Sequence, residues 1–413
     1  MRIVHVTHRA WPVIGGSERY VQEIARRQVL EGHQVTILAT NADSLDALWD
    51  RHGGRLDANT ATEYQGVQIR RLAVRHLPIG ALAFPALRRL TWLVSHGSVP
   101  LALSLAHFSP WVPELSGALA ETSADMLFAW NITLEGLTAS VVREARQRRV
   151  PWIGVPLLHL GQRRFYTMRH QLDLLREASA VLAQTEFERA FLLQRGFEPD
   201  QIHVAGPGVD LAEGDRADGQ RFRQKFGIQG PLVVTLGTLG YDKGTLHLLS
   251  AAQQLWTRGR HLNLALIGLP QPSTRHALAR LPTTQRACCY SLGRVSEPDK
   301  WDALEAADVV ALPSRTESFG IVFLEAWTRG KPVIGARSGG VADIIRDGIN
   351  GRLIEFGHVS ALADAITDLL DHPDLAHALG QRGQDQVQRD YTWDRQYHRV
   401  RAVMDRVRTE WKP

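Results

Sequence analysis

Short apolar runs alternate with longer amphipathic stretches along this chain. Ile3–Thr7 is a β-branched run. A polar loop follows, and Ser17 then opens a stretch through Leu30 with apolar residues at Tyr20, Val21, Ile24, Ala25 and Val29. That spacing predicts a helix capped by Ser17 and closed by Gly32, and Val35–Ala39 predicts the next strand. Strand, helix and strand in this order make a βαβ unit of the doubly wound kind. The pattern continues with predicted strands at Met126–Ala129, Trp152–Leu158, Ala180–Gln184 and Ile202–Ala205. Helices are predicted at Leu134–Arg148 and Glu186–Gln194, the latter ended by Gly196.

The texture changes at Gly206–Asp210, a loop followed by a mostly polar stretch, which is the best candidate linker. A second series then starts afresh. Strands are predicted at Leu232–Leu236, Leu262–Ile267, Cys288–Leu292, Val309–Leu312 and Pro332–Ala336. Helices are predicted at Gly244–Arg258, Asp299–Ala307, after Phe319, and last from Ser360. Two successive βα series imply two Rossmann-like, doubly wound α/β domains facing each other across a cleft.

Composition narrows the class. The chain has 413 residues, 44 % apolar and 22 % charged, which suits two ordinary globular cores. Its net charge is +5, and almost all the positive charge is arginine, the lysines being Lys225, Lys243, Lys300, Lys331 and Lys412. A mild excess of this kind suits anionic ligands or an anionic membrane surface, but no dense basic helix or arm points to nucleic acid. Arg163 and Arg164 are candidates for an active-site rim. Cys288 and Cys289 are neighbours, so no disulfide framework is expected and a reducing, cytoplasmic setting fits. The opening Met1–Thr7 reads as a strand, not a signal peptide. Leu90–Pro113 carries no Asp, Glu, Lys or Arg but three prolines and a glycine. It is therefore a poor spanning helix and is read as a buried or lid-like helical region, with peripheral membrane contact left open.

Candidate chemistry lies in four segments. In Pro313–Trp327 a strand runs into a polar loop and then a helix that is apolar almost all round. Glu325 sits inside that apolar run, where a carboxylate is costly unless it is hydrogen-bonded or paired. Glu317 stands just before the helix, and the amides of Phe319, Gly320 and Ile321 offer an anion site. Carboxylates for sugar hydroxyls and amides for phosphate fit a nucleotide sugar. In Leu236–Gly244 a glycine-rich loop leads to Lys243 at a helix start. A cation there opposes the helix dipole, so an anionic partner is expected. Gly15-Gly16 lets backbone approach a ligand closely but lacks the full dinucleotide spacing. His159 follows a buried strand end and by itself reads more readily as a structural histidine than as one facing the crevice.

Glu317 and Glu325 form an E-x7-E pattern. With Lys243-Gly244, Gly15-Gly16, Gly206–Asp210 and Gly335–Asp343, the chain resembles the family-four retaining glycosyltransferases of GT-B architecture. The resemblance implies an acceptor-side domain over 1–207, a donor-side domain over 208–390, and a C-terminal helix over 391–413 crossing back to the first. It implies transfer of a sugar from a nucleotide diphosphate donor to an acceptor hydroxyl with retention of configuration. His159, Lys243 and Glu317 would be catalytic. Gly16, Thr238, Lys243, Arg294, Val295, Glu317, Ser318, Phe319, Gly320, Ile321 and Glu325 would hold the donor. No cofactor is implied, the nucleotide sugar being a substrate. The lack of any Asp-x-Asp triplet fits a metal-independent reaction. Two positions depart from the family pattern. Thr238 stands where relatives carry an arginine, for which Arg9 or Arg294 is a candidate substitute. Phe128-Ala129-Trp130-Asn131 replaces a His-x-His-like segment. An epimerase of the same architecture and an inactive nucleotide-sugar-binding subunit remain alternatives.

Overall fold

The computed structural model describes residues 1–76, 83–160 and 167–411. They divide into two compact units, one of residues 1–206 with the C-terminal stretch from Tyr397, the other of Pro207–Gln396.

In the first unit the N-terminal β-branched run forms β1 (Arg2–Thr7), followed by β2 (Gln34–Thr40), β3 (Glu63–Tyr64), β4 (Val67–Leu72), β5 (Met126–Trp130), β6 (Trp152–Val155), β7 (Ala180–Ala183) and β8 (Ile202–Val204). They make one sheet in the order β3-β4-β2-β1-β5-β6-β7-β8. Every pairing is parallel except the antiparallel β3–β4 hairpin. Parallel strands are covered on both faces, which is why β5, β6 and β7 read as continuously apolar. One face packs Val4, Val6, Leu127 and Val181 into a single cluster. On the other, the His5 ring stacks on Phe128 at 4.5 Å and accepts at Nδ1 from the Trp130 indole at 3.0 Å. Burial pushes His5 down to about 4. The helix Trp393–Glu410 attaches through Tyr397, whose hydroxyl donates to Glu31 at 2.8 Å, and through Arg401, 3.0 Å from the same carboxylate.

In the second unit β9 (Leu232–Leu236), β10 (Asn263–Ile267), β11 (Cys289–Gly293), β12 (Val309–Leu312), β13 (Val333–Ala336) and β14 (Arg352–Ile354) form a sheet ordered β11-β10-β9-β12-β13-β14. All its pairings are parallel. Alternate residues divide between two clusters. Val234, Ile267, Leu312 and Val333 pack against Phe323 and Trp327, while Val233, Leu266, Val309 and Ile334 pack against Leu248, Leu362 and Ile366.

Four sequence expectations are corrected. Ser17 does not cap its helix, which runs Gly16–Leu30 with extended Gly15 at the N-cap; the Ser17 hydroxyl donates instead to Glu18 at 2.9 Å. β6 stops at Val155, not Leu158, because Pro156 has no N–H for the ladder. The uncharged stretch Leu90–Pro113 is not uniformly buried. It contributes to helices Ala83–Ser95 and Val99–Ala106, on which Leu90, Leu93 and Leu101 are exposed. The stretch from Ser360 to the C-terminal helix is not one helix but two, Val359–Asp371 and Pro373–Asp390, ahead of the C-terminal helix Trp393–Glu410. Pro373 cannot continue the preceding helix but suits the first turn of a new one. Among the described residues no helix is long and apolar enough to cross a membrane.

Candidate functional site

Two loops at the C-terminal edge of the second sheet carry the E-x7-E segment and Lys243. β9 ends at Leu236 and its loop reaches Gly244, the left-handed N-cap (φ +71°) of helix Thr245–Thr257. β12 ends at Leu312 and its loop reaches Gly320, the left-handed N-cap (φ +94°) of helix Ile321–Thr328. β9 and β12 are neighbours, so the loops meet. Lys243 Nζ lies 2.5 Å from Glu317 Oε2, which supplies the anionic partner a cation at that helix start requires. One residue earlier, Asp242 binds the second loop twice. Its carbonyl accepts from the Arg315 amide at 2.8 Å, and its carboxylate meets the Arg315 guanidinium at 2.7 Å. The backbone of Glu317 is fixed in turn by the β13 loop, where Gly340 donates to its carbonyl at 3.1 Å. A Cβ on Gly339 would fall 2.1 Å from that same oxygen.

Gly244 shows how tightly the loops are joined. A Cβ there would stand 2.0 Å from the Pro313 carbonyl oxygen, and its φ is one that side chains rarely adopt. Gly244→Ala is therefore expected to destabilise the unit by about 1–3 kcal/mol. Denaturant unfolding measures this, and a variant as stable as the parent would show that the loops need not touch.

Glu325 is 5 % exposed on the second turn of its helix. Its partner is Lys300, with Nζ 3.1 Å from Oε1 and a second contact to Glu297 at 2.7 Å. The helix begins at Ile321 rather than near Phe319, so the amides free at its first turn start one to two residues later than the sequence suggests. Phe319 is buried and meets the Tyr391 ring edge-on at 5.7 Å. Ser318 is half-buried beside it. The hydroxyls of Thr245, Ser314 and Thr316 are buried without hydrogen-bond partners among the described residues. Such orphans are uncommon in a finished core.

Other expected residues fall nearby or apart. Thr238 is exposed in the β9 loop, and exposed Arg294 with half-buried Val295 directly follows β11. In the first unit Gly16 is the exposed first residue of its helix. Behind it Glu18 is buried against His8 (3.0 Å) and Arg9 (2.5 Å). Burial alone would raise this carboxyl, but His8 and Arg9 hold it at about 2. Arg9 is thus already committed to a carboxylate. His159 is half-buried four residues beyond the end of β6. Trp130 is a core residue, 1 % exposed and bonded to His5, so that departure from the family pattern alters the interior of the sheet. Arg163 and Arg164 lie outside the described residues.

Sequence reasoning missed Lys300, Asp242, Arg315 and Glu18. The scarcity of lysine could have found the first. With only five lysines in the chain, two face the two carboxylates of the E-x7-E pattern.

Residues 218–386 match the profile of the Glycosyl transferases group 1 family, and residues 15–208 that of the Glycosyl transferase 4-like domain. The D-inositol 3-phosphate glycosyltransferase of Salinispora tropica is 31 % identical over 331 residues, covering 68 % of this chain and 67 % of that one. The enzyme of the same name from Corynebacterium efficiens is 33 % identical over 238 residues, 54 % of this chain and 55 % of that protein. In that second match the chain spans about half the length of its relative. Among solved structures, Anabaena Alr3699/HepE in complex with UDP superposes with a TM-score of 0.73 at 18 % identity, covering 98 % of this chain and all of that one. That likeness carries the GT-B fold. Together with the E-x7-E loop and the two parallel sheets, these matches place the chain in the group 1 (family-four) glycosyltransferases of GT-B architecture.

Proposed function

We propose that this protein transfers a sugar from a nucleotide diphosphate-sugar to an acceptor hydroxyl, with retention of anomeric configuration and without a metal ion. The observation that carries the reading is the Lys243–Glu317 pair on adjacent strand-end loops. A nucleotide sugar offers each member a better partner: diphosphate oxygens for Lys243, sugar hydroxyls for Glu317. The pair satisfies itself without the donor and opens for it. Glu325, oriented by Lys300, takes the ribose hydroxyls. Amides from Phe319, Gly320 and Ile321, with Ser318, meet sugar and phosphate. Thr238 is assigned to the diphosphate, Arg294 and Val295 to the base, and Gly16 to the phosphate or acceptor. His159 is assigned to the transferred sugar.

In the reaction the bond from the anomeric carbon to the phosphate oxygen breaks while the acceptor oxygen bonds to that carbon on the same face. The acceptor's proton passes to the departing phosphate oxygen. Negative charge grows on the diphosphate, and Lys243 with the helix amides stabilises it. Uridine is the base to test first, since the Anabaena structural relative is seen with UDP and with UDP-glucose.

Thermal unfolding with UDP, GDP, ADP and dTDP tests the donor site. One nucleotide, expected to be UDP, should stabilise the parent by roughly 3 kcal/mol at a hundredfold excess over Kd. Glu325→Ala should abolish that gain. No shift with any of the four at millimolar concentration would overturn the donor reading. A product of inverted configuration, read by NMR of the anomeric proton, would overturn the mechanism.

A further inference from the structure

Among buried carboxylates not used above, Glu188 stands out by what it holds. Thr185 caps the helix Glu186–Gln194, its hydroxyl accepting from the Glu188 amide at 3.2 Å. The Glu188 side chain is 3 % exposed. Both carboxylate oxygens are spent on backbone. Oε1 accepts from the Leu158 amide at 2.8 Å, and Oε2 accepts from the Gln184 amide. Glu188 therefore ties the exit of β6 to the exit of β7 at the C-terminal edge of the sheet. Among the described residues it makes no ion pair. The titratable group facing it from the helix Gly16–Leu30 is the Tyr20 phenol, which burial and Glu188 push upward. Burial outweighs the two amides and pushes Glu188 itself up to about 7.

The backbone it holds is unusual. After Val155 the chain passes Pro156 and takes a left-handed turn at Leu157, φ +51°. A leucine persists there only when its surroundings over-determine it. Asn131 donates to the Val155 carbonyl at 2.9 Å and Ile132 to that of Pro156 at 3.1 Å, fixing the near flank. Leu157 and Leu158 are buried, and the Leu158 amide is captured by Glu188. The next residue is His159.

We propose that Glu188 is a positioning residue for His159: its carboxylate locks the strained exit of β6 so that the imidazole is held at one place on the edge of the sheet. This rests on the assignment of His159 to the transferred sugar. An amide replacing the carboxylate keeps the volume but loses one acceptor, turning an N–H toward a backbone N–H. Small misplacements of a group at the reacting centre cost up to ~100-fold in rate.

The test compares the parent, Glu188→Gln, His159→Ala, their double variant and Thr185→Ala in the full chain, with UDP-glucose as donor, water as the acceptor that takes the glucosyl group as glucose, and UDP release as readout. Glu188→Gln is expected to lower kcat by roughly 10- to 100-fold with KM changed less than about twofold. The double variant should be no slower than His159→Ala. Thr185→Ala loosens the same helix without touching Leu158, so it should lose stability but keep kcat. Hydrogen exchange of the parent gives an arm independent of turnover: the Leu158 amide should be protected, and Glu188→Gln should expose it. The proposal is overturned if His159→Ala loses turnover while Glu188→Gln keeps it, if Thr185→Ala loses kcat as Glu188→Gln does, or if the parent's Leu158 amide exchanges as fast as an exposed loop. Full turnover in His159→Ala would sink the His159 assignment itself, which the variants separate from a failure at Glu188.

Discussion

Lys243→Ala is expected to slow sugar transfer by roughly 10²- to 10³-fold and to remove stabilisation by nucleoside diphosphate. Lys243 is one of few lysines in a chain that otherwise uses arginine, and it sits 2.5 Å from Glu317 on the neighbouring loop. Its charge must serve two states. Without donor it neutralises Glu317; on the function proposed above it then meets a diphosphate whose charge rises as the sugar leaves. Removing it costs the second state more than the first, because Glu317 can draw on water whereas the leaving group cannot. Glu317→Gln separates the two halves of the site. It removes the sugar's carboxylate but leaves the diphosphate cation free, so turnover should fall while the UDP shift persists. Equal loss of the UDP shift in both variants would mean that Glu317 serves only to hold Lys243. Lys243→Arg is expected to recover nucleotide stabilisation only in part, since a guanidinium fork does not place charge where the ammonium does.

Most strands of the two sheets were legible because both faces of a parallel strand are buried, leaving runs such as Leu232–Val234 and Val309–Leu312 apolar throughout, whereas β3, β4 and β14, short or broken by charged residues, were not. The need of Lys243 for an anion was legible from its place at a helix start, and the pairing with Glu317 follows once β9 and β12 are neighbours. What could not be read depends on contacts distant in sequence. Lys300 reaches Glu325 from another βα unit, 25 residues away. Trp130 looks like a site residue by alignment with a motif, yet its indole is drawn into the core by His5, 125 residues away. Leu90–Pro113 shows that absence of charge does not fix burial. Its leucines at 90 and 93 face outward because the helix that starts at Ala83 sends Arg88, Thr91 and Ser95 inward instead, and Leu101 is exposed on the helix Val99–Ala106 that follows.

That inward arginine carries the largest expected effect on stability. Arg88, Glu135 and His170 are 3 %, 0 % and 0 % exposed and come from the helices Ala83–Ser95, Glu135–Arg148 and Arg169–Arg176. Glu135 pairs with Arg88, lies 3.5 Å from His170 Nε2, and accepts from the Gln171 side-chain amide at 2.7 Å. Burial would raise the Glu135 carboxyl, but Arg88 and His170 hold it below the usual range. Its contribution is therefore present above the unfolded carboxylate pKa and is lost as pH falls through that range. Arg88→Met should destabilise by about 3–5 kcal/mol, because it leaves a buried carboxylate short of its cation. At about 2–4 °C per kcal/mol for a unit of this size, Tm should drop by about 6–20 °C. The compensated pair Arg88→Met with Glu135→Leu should recover most of that loss, since two apolar groups of similar volume carry no desolvation cost. It should also reduce the loss of stability expected of the parent on the acid side, leaving the share that Glu18 contributes. A single variant costing under about 1 kcal/mol would mean that water reaches the pair and that these three helices are joined by apolar packing alone.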